Sequence, residues 1–141
     1  DSQNKVKTNS EDGSLTLASL GAKMRWEDFR FQVRIDSQST QFEDTSKDFQ
    51  STLFNVNTIY SWTPWVFGFS FQNNNKQYQN ADPASNLVLQ NKKDEMNLNF
   101  KYSFSNSTLA GLDLKQIKQA SNDETRSYKA NQITVQYIWM F

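Results

Sequence analysis

Asn131-Gln132-Ile133-Thr134-Val135-Gln136-Tyr137-Ile138-Trp139-Met140-Phe141 reads as a strand with two unlike faces. Ile133, Val135, Tyr137, Trp139 and Phe141 alternate onto one side, and Gln132, Thr134 and Gln136 fall on the other. Side chains of an extended chain alternate with a period of two, so this segment suits a boundary between an apolar and a polar environment. It closes on an aromatic ring, whereas free termini of soluble domains fray and are mostly polar.

The pattern on Ile133, Val135, Tyr137, Trp139 and Phe141 resembles the terminal strand of Gram-negative outer-membrane β-barrels, whose chains typically end on Phe after alternating apolar and aromatic residues. It covers less than a tenth of the chain. The resemblance implies an all-β, antiparallel up-and-down transmembrane β-barrel in the outer membrane of a Gram-negative bacterium. It also implies contact with outer-membrane lipid and recognition of the C-terminal strand by the barrel-assembly machinery. An amphipathic strand of a soluble sheet alternates in the same way, so the rest of the chain must discriminate.

Composition narrows the field. A chain of 141 residues defaults to one domain. With 15 basic and 15 acidic residues the formal charge is zero, which argues against a nucleic-acid partner. There is no Cys for a disulfide or thiolate metal site, and no His to serve as a general base or metal ligand. Aromatic residues reach 14%, yet mean hydropathy is −0.79. A soluble globule reconciles those values poorly. A barrel with an apolar outside, a polar inside and polar loops reconciles them well. No run approaches the roughly eighteen apolar residues of a membrane helix, but barrel strands hide their hydrophobicity in alternation. The first residue is Asp1, with no Met and no apolar leader, which reads as a processed chain or a fragment.

The same alternation recurs along the chain. Residues 1–13 are polar apart from Val6 and read as a loop or a partial strand. From Ser14 to Trp26, Ala18, Leu20, Ala22, Met24 and Trp26 share a face, while Leu15 and Leu17 break the pattern at its start. Phe29, Phe31, Val33 and Ile35 follow after only Glu27-Asp28, a tight hairpin. Residues 37–50 read as a longer loop with polar strand extensions. Phe54, Val56, Thr58, Tyr60 and Trp62 run to the turn at Thr63-Pro64, and Trp65, Phe67, Phe69 and Phe71 run back. Residues 73–93 read as a long polar loop centred on Asp82-Pro83, with Leu87-Val88-Leu89 as an apolar island of strand extension or loop packing. Met96, Leu98, Phe100, Tyr102 and Phe104 reach the turn at Ser105-Asn106-Ser107. Ala110, Leu112 and Leu114 then return before the connection at 119–127.

Short and long connections alternate, as in barrels with short periplasmic turns and long outer loops. The aromatic residues give a second sign. Trp26, Trp62, Trp65, Tyr102, Phe104, Trp139 and Phe141 all fall at strand ends on the short-turn side, the expected girdle at one membrane interface. The opposite faces are expected to line a lumen with Arg25, Arg30, Gln32, Arg34, Asn55, Asn57, Gln72, Asn97, Asn99, Lys101, Asp113 and Lys115. A soluble barrel would turn this alternation inside out and crowd many rings into a small interior.

Seven strands are legible, and parity asks for an upward strand before Ser14. Residues 1–13 supply it poorly. The chain therefore reads either as one complete eight-stranded barrel domain over 1–141 or as the C-terminal strands of a larger barrel. In the first case Asp28, Arg30, Arg34, Asp36, Lys101, Asp113 and Lys115 would pack as a charge network; in the second, the inward residues would line a water-filled channel. No catalytic, cofactor or metal site is expected; Asp94-Glu95 is the one cation candidate, and it reads more simply as a solvated loop base. The leading functional expectation is a non-enzymatic, porin-like passage or part of a larger barrel, possibilities that include further strands or subunits. The alternative is a non-conducting structural or surface-interaction barrel acting through its outer loops, and the third is a soluble lipid-binding barrel.

Overall fold

The computed structural model describes residues 13–42, 47–82 and 86–139. It contains β1 (Gly13–Trp26), β2 (Phe29–Phe42), β3 (Phe49–Trp62), β4 (Trp65–Ala81), β5 (Val88–Ser105), β6 (Thr108–Ser121) and β7 (Tyr128–Trp139). A single 3-10 turn, Glu124–Arg126, precedes β7. Each strand pairs antiparallel with the next, giving one seven-stranded up-and-down sheet in sequence order.

The turns that were clearest in sequence set the register. Trp26 pairs with Phe29 across Glu27-Asp28, where Glu27 takes a positive φ of 48°. Trp62 pairs with Trp65 across Thr63-Pro64. Ser105 pairs with Thr108, and a register shift between Ser103 and Ser105 places Phe104 at an irregularity beside this turn.

From these anchors every apolar strand face lands on the same side. Trp26, Phe29, Tyr60, Phe67, Phe100, Leu112 and Val135 form one unbroken cross-strand row. Met24, Phe31, Thr58, Phe69, Leu98, Leu114 and Ile133 form the next. A slip of one residue at any of the six pairings would have sent one strand's rings to the polar side. The apolar band also runs obliquely. Its far limit is Leu20, Ile35 and Phe54 in one row, two residues nearer the short turns at Phe71 and Met96, and two more at Leu114 and Ile133.

Three expectations change. Residues 73–93 are not a long loop: β4 continues to Ala81 and β5 begins at Val88, so Val88 and Leu89 belong to a strand. Backbone ladders carry both strands through a polar stretch, with a register shift between Gln77 and Ala81. The terminal strand begins at Tyr128 rather than Asn131. The sheet is not closed into a barrel among the described residues: β1 and β7 are its two edges, and both run toward the short-turn end. Gly13 starts β1, while the remainder of the polar segment 1–13, together with Pro83 and Phe141, lies outside the described residues.

The two sides bury little against each other. Leu89, 2% exposed, is the one apolar side chain fully buried among the described residues. Leu20 and Val135 are each 77% exposed on the apolar side. A soluble domain of this size buries a contiguous cluster of such residues; here the apolar side has no protein layer over it.

Candidate functional site

The polar side holds all twelve residues read from sequence as inward. One cross-strand row runs Arg25, Arg30, Ile59, Gly68, Asn99, Asp113 and Thr134. The next runs Lys23, Gln32, Asn57, Ser70, Asn97, Lys115 and Gln132, and a third contains Arg34, Asn55, Gln72 and Glu95. Lys101 stands one row nearer the short turns, opposite Val66 and Gly111.

These charges do not form the single packed network that a filled small barrel would need. Arg34 Nε donates to Asp36 Oδ1 at 2.7 Å, and the Ser19 hydroxyl donates to the same oxygen. Lys115 Nζ lies 2.6 Å from Glu95 Oε1, and Lys93 Nζ lies 3.2 Å from Glu95 Oε2. Asp113 accepts from the Asn99 amide rather than from a cation. Lys23, Arg25, Arg30 and Lys101 make no ion pair with a described residue. Among the described strands, this side carries eight cations (Lys23, Arg25, Arg30, Arg34, Lys76, Lys93, Lys101, Lys115) against three carboxylates, Asp36, Glu95 and Asp113. The amide oxygens of Asn74, Asn91 and Asn97 are buried on this side without a hydrogen-bond partner. Buried polar atoms of this kind ordinarily find a protein or water partner.

Asp94 and Glu95 do not converge on a cation. Glu95 points to the polar side with its two lysines, while Asp94 points to the opposite side and accepts from the Asn73 amide.

One cluster escaped the sequence reading. Toward the long-loop end, Phe42, Phe49, Tyr78 and Leu89 share the polar side. The rings of Phe49 and Tyr78 lie 6.0 Å apart, with Lys76 Nζ 3.7 Å from the Phe49 ring centre and 4.6 Å from that of Tyr78. A cation over a ring face is held by the ring quadrupole. The available signal was parity: Phe42, Phe49 and Tyr78 are aromatic residues out of phase with the apolar face.

On the apolar side, aromatic residues at the short-turn end lie close together. Trp65 lies 4.5 Å from Tyr102, which lies 4.7 Å from Phe104, and Trp65 also stacks on Phe67 at 6.1 Å. Trp26, Trp62 and Trp139 stand at the same end, 71%, 62% and 62% exposed.

The connections at the long-loop end are fastened to one another. Asn122 acts as a surrogate strand residue: its amide donates to the Val88 carbonyl at 2.8 Å and its side-chain oxygen accepts from the Gln90 N–H at 2.9 Å. Arg126 pairs with Asp82 at the end of β4 and, at 3.2 Å, with Asp123. The Thr125 hydroxyl, 2.7 Å from Asp123, is the main cause holding that carboxyl below the usual range, helped by the Thr125 N–H and Arg126.

Comparison with known proteins found no matching family model, no matching curated protein and no matching solved structure.

Proposed function

We propose that this chain forms the wall of a lipid-spanning β-barrel in the outer membrane of a Gram-negative bacterium, with its polar side lining a porin-like passage, alone or as part of a larger barrel. The observation that carries the reading is the register: six independent strand pairings place every apolar face on one side, and that side is bare. Phe54 to Trp62 spans eight residue steps, about 26 Å at roughly 3.3 Å each, close to the ~25 Å apolar band of outer-membrane barrels. Concentration of the Trp residues at one end fits an interfacial belt.

Planar-bilayer recording with the purified chain tests the reading. Stepwise conductance supports a passage, and its absence from a membrane-inserted protein removes it. The cluster of Phe42, Phe49, Tyr78 and Leu89 favours a second reading, in which the outer mouth is closed by side chains and a non-conducting barrel works through its fastened outer loops. Solubility without detergent would instead return the chain to a soluble lipid-binding barrel. Recognition by the assembly machinery is part of the same proposal: deletion of Phe141 should lower membrane levels in cells far more than it impairs folding in detergent. Unchanged membrane levels would remove the signal role.

A further inference from the structure

Arg25 and Arg30 stand directly opposite each other in the β1–β2 pairing, and Lys23 lies one same-side step along β1, opposite Gln32. Like charges directly opposite on an antiparallel pair are destabilising. No carboxylate among the described residues forms an ion pair with either guanidinium; Asp28, two residues before Arg30 on the same side, is exposed in the turn. Elsewhere on the polar side Arg34 has Asp36, and Lys93 and Lys115 share Glu95, whereas Lys23, Arg25 and Arg30 have no ion pair with any described residue. The neighbouring strand β3 presents Asn57, Ile59 and Ser61 to them, none acidic. The three cations, with Gln32, Asn57 and three apolar residues, line a cleft of ≈ 280 Å³.

We propose that this cleft is a binding site for small oxyanions, carboxylate- or phosphate-bearing solutes. A guanidinium presents paired N–H donors that match the two oxygens of a carboxylate or phosphate, and two of them side by side with an ammonium converge on one such group. Gln32 and Asn57 add neutral amide donors beside it. A bound anion relieves the repulsion between Arg25 and Arg30, so the cost of holding them opposite each other is offset when the site is filled. The excess of cations over carboxylates on the whole polar side draws anions toward it, as basic linings do in anion-selective pores. The site's place inside a passage rests on the function proposed above; the binding itself does not.

The test is calorimetric titration of inorganic phosphate into the folded chain in detergent at low ionic strength. Saturable binding is expected, with affinity falling about tenfold or more in a K23Q/R25Q/R30Q variant. Lys118→Gln, an exposed lysine on the other side of the sheet, should bind phosphate as the parent does. Circular dichroism establishes that each variant is folded, and Arg30→Gln alone serves if the triple variant is not. Absence of saturable binding, or binding that survives neutralisation, overturns the proposal. Bilayer recording separates the two readings. Conductance without phosphate binding leaves the passage and removes the site; phosphate binding that depends on Lys23, Arg25 and Arg30 without conductance leaves the site and removes the passage.

Discussion

Val33 and Gln32 are neighbours in sequence and stand in opposite environments. Val33 pairs with Ala22 and Val56 on the bare apolar side, and Gln32 with Lys23 and Asn57 on the polar side. If the apolar side meets lipid, Arg at Val33, Val56 or Phe100 should destabilise the protein by about 2–4 kcal/mol near the bilayer midplane. Arg at Gln32 or Asn99 should cost far less, because neither position faces lipid; Asn99 stands opposite the Asp113 carboxylate, and at Gln32 only repulsion from Lys23 opposes the change. Denaturant titrations of the variants folded into lipid vesicles measure both; equal costs on the two sides would remove the assigned sidedness. This two-sidedness was legible residue by residue, because alternation alone reports it. What alternation could not report was pairing between particular side chains. Nothing in the spacing of Lys115 and Glu95 says that they meet, nor that Arg30 has no ion pair among the described residues.

Short turns and strand interiors were legible as elements; the strand ends away from those turns were not. Asn73 to Ala81 and Gln90 to Glu95 contain few apolar residues, so a pattern-based reading assigns them to a loop. They are strand because Asn73 to Gln77 and Asn91 to Glu95 pair on both sides along backbone ladders, which any side chain permits. The fastening of the connections at the long-loop end is a second feature that only the fold reveals. Arg126 is partly exposed, so solvent screening leaves its pairs with Asp82 and Asp123 little to contribute to global stability. Arg126→Ala is expected to leave global stability nearly unchanged and to speed proteolysis within 122–127. Acid should act similarly. The Asp123 carboxyl is held below its ordinary value, so its contribution is present above the unfolded carboxylate pKa of about 3.9 and is lost as pH falls through the depressed folded value. Limited proteolysis should show the segment constant from pH 8 to 5 and more susceptible toward pH 3; susceptibility that rises on going alkaline would contradict this origin.

At the scale of the molecule, the sheet has two edges among the described residues, β1 and β7. In hydrocarbon an unpaired backbone group costs several kcal/mol, so an exposed row along β7 is incompatible with a lipid environment. If the apolar side meets lipid, we therefore expect Gln132 to Trp139 to pair with a strand that is not among the seven described. Because β1 and β7 run in the same direction, antiparallel closure takes an odd number of further strands. Residues 2–8, poorly suited by Lys5 and Lys7, lie outside the described residues. Hydrogen exchange on the vesicle-inserted protein is the measurement: protection of consecutive β7 amides indicates pairing on both edges, whereas fast exchange at every second amide would show a free edge.

The oblique course of the apolar band has a geometric consequence. Trp26 shares a row with Val135, and Trp139 lies four residues beyond it. Four residues are about 13 Å along a strand, accumulated over six inter-strand spacings of about 4.8 Å, or roughly 29 Å. For the two indoles to sit level at one interface, the strands must lean by about 25° from the bilayer normal, somewhat less than the 35–45° common in barrels. Spin-labelled lipids carrying the nitroxide at graded positions should then quench Trp26 and Trp139, each studied as the sole remaining tryptophan, to the same depth. A difference near 13 Å would mean that the strands stand upright.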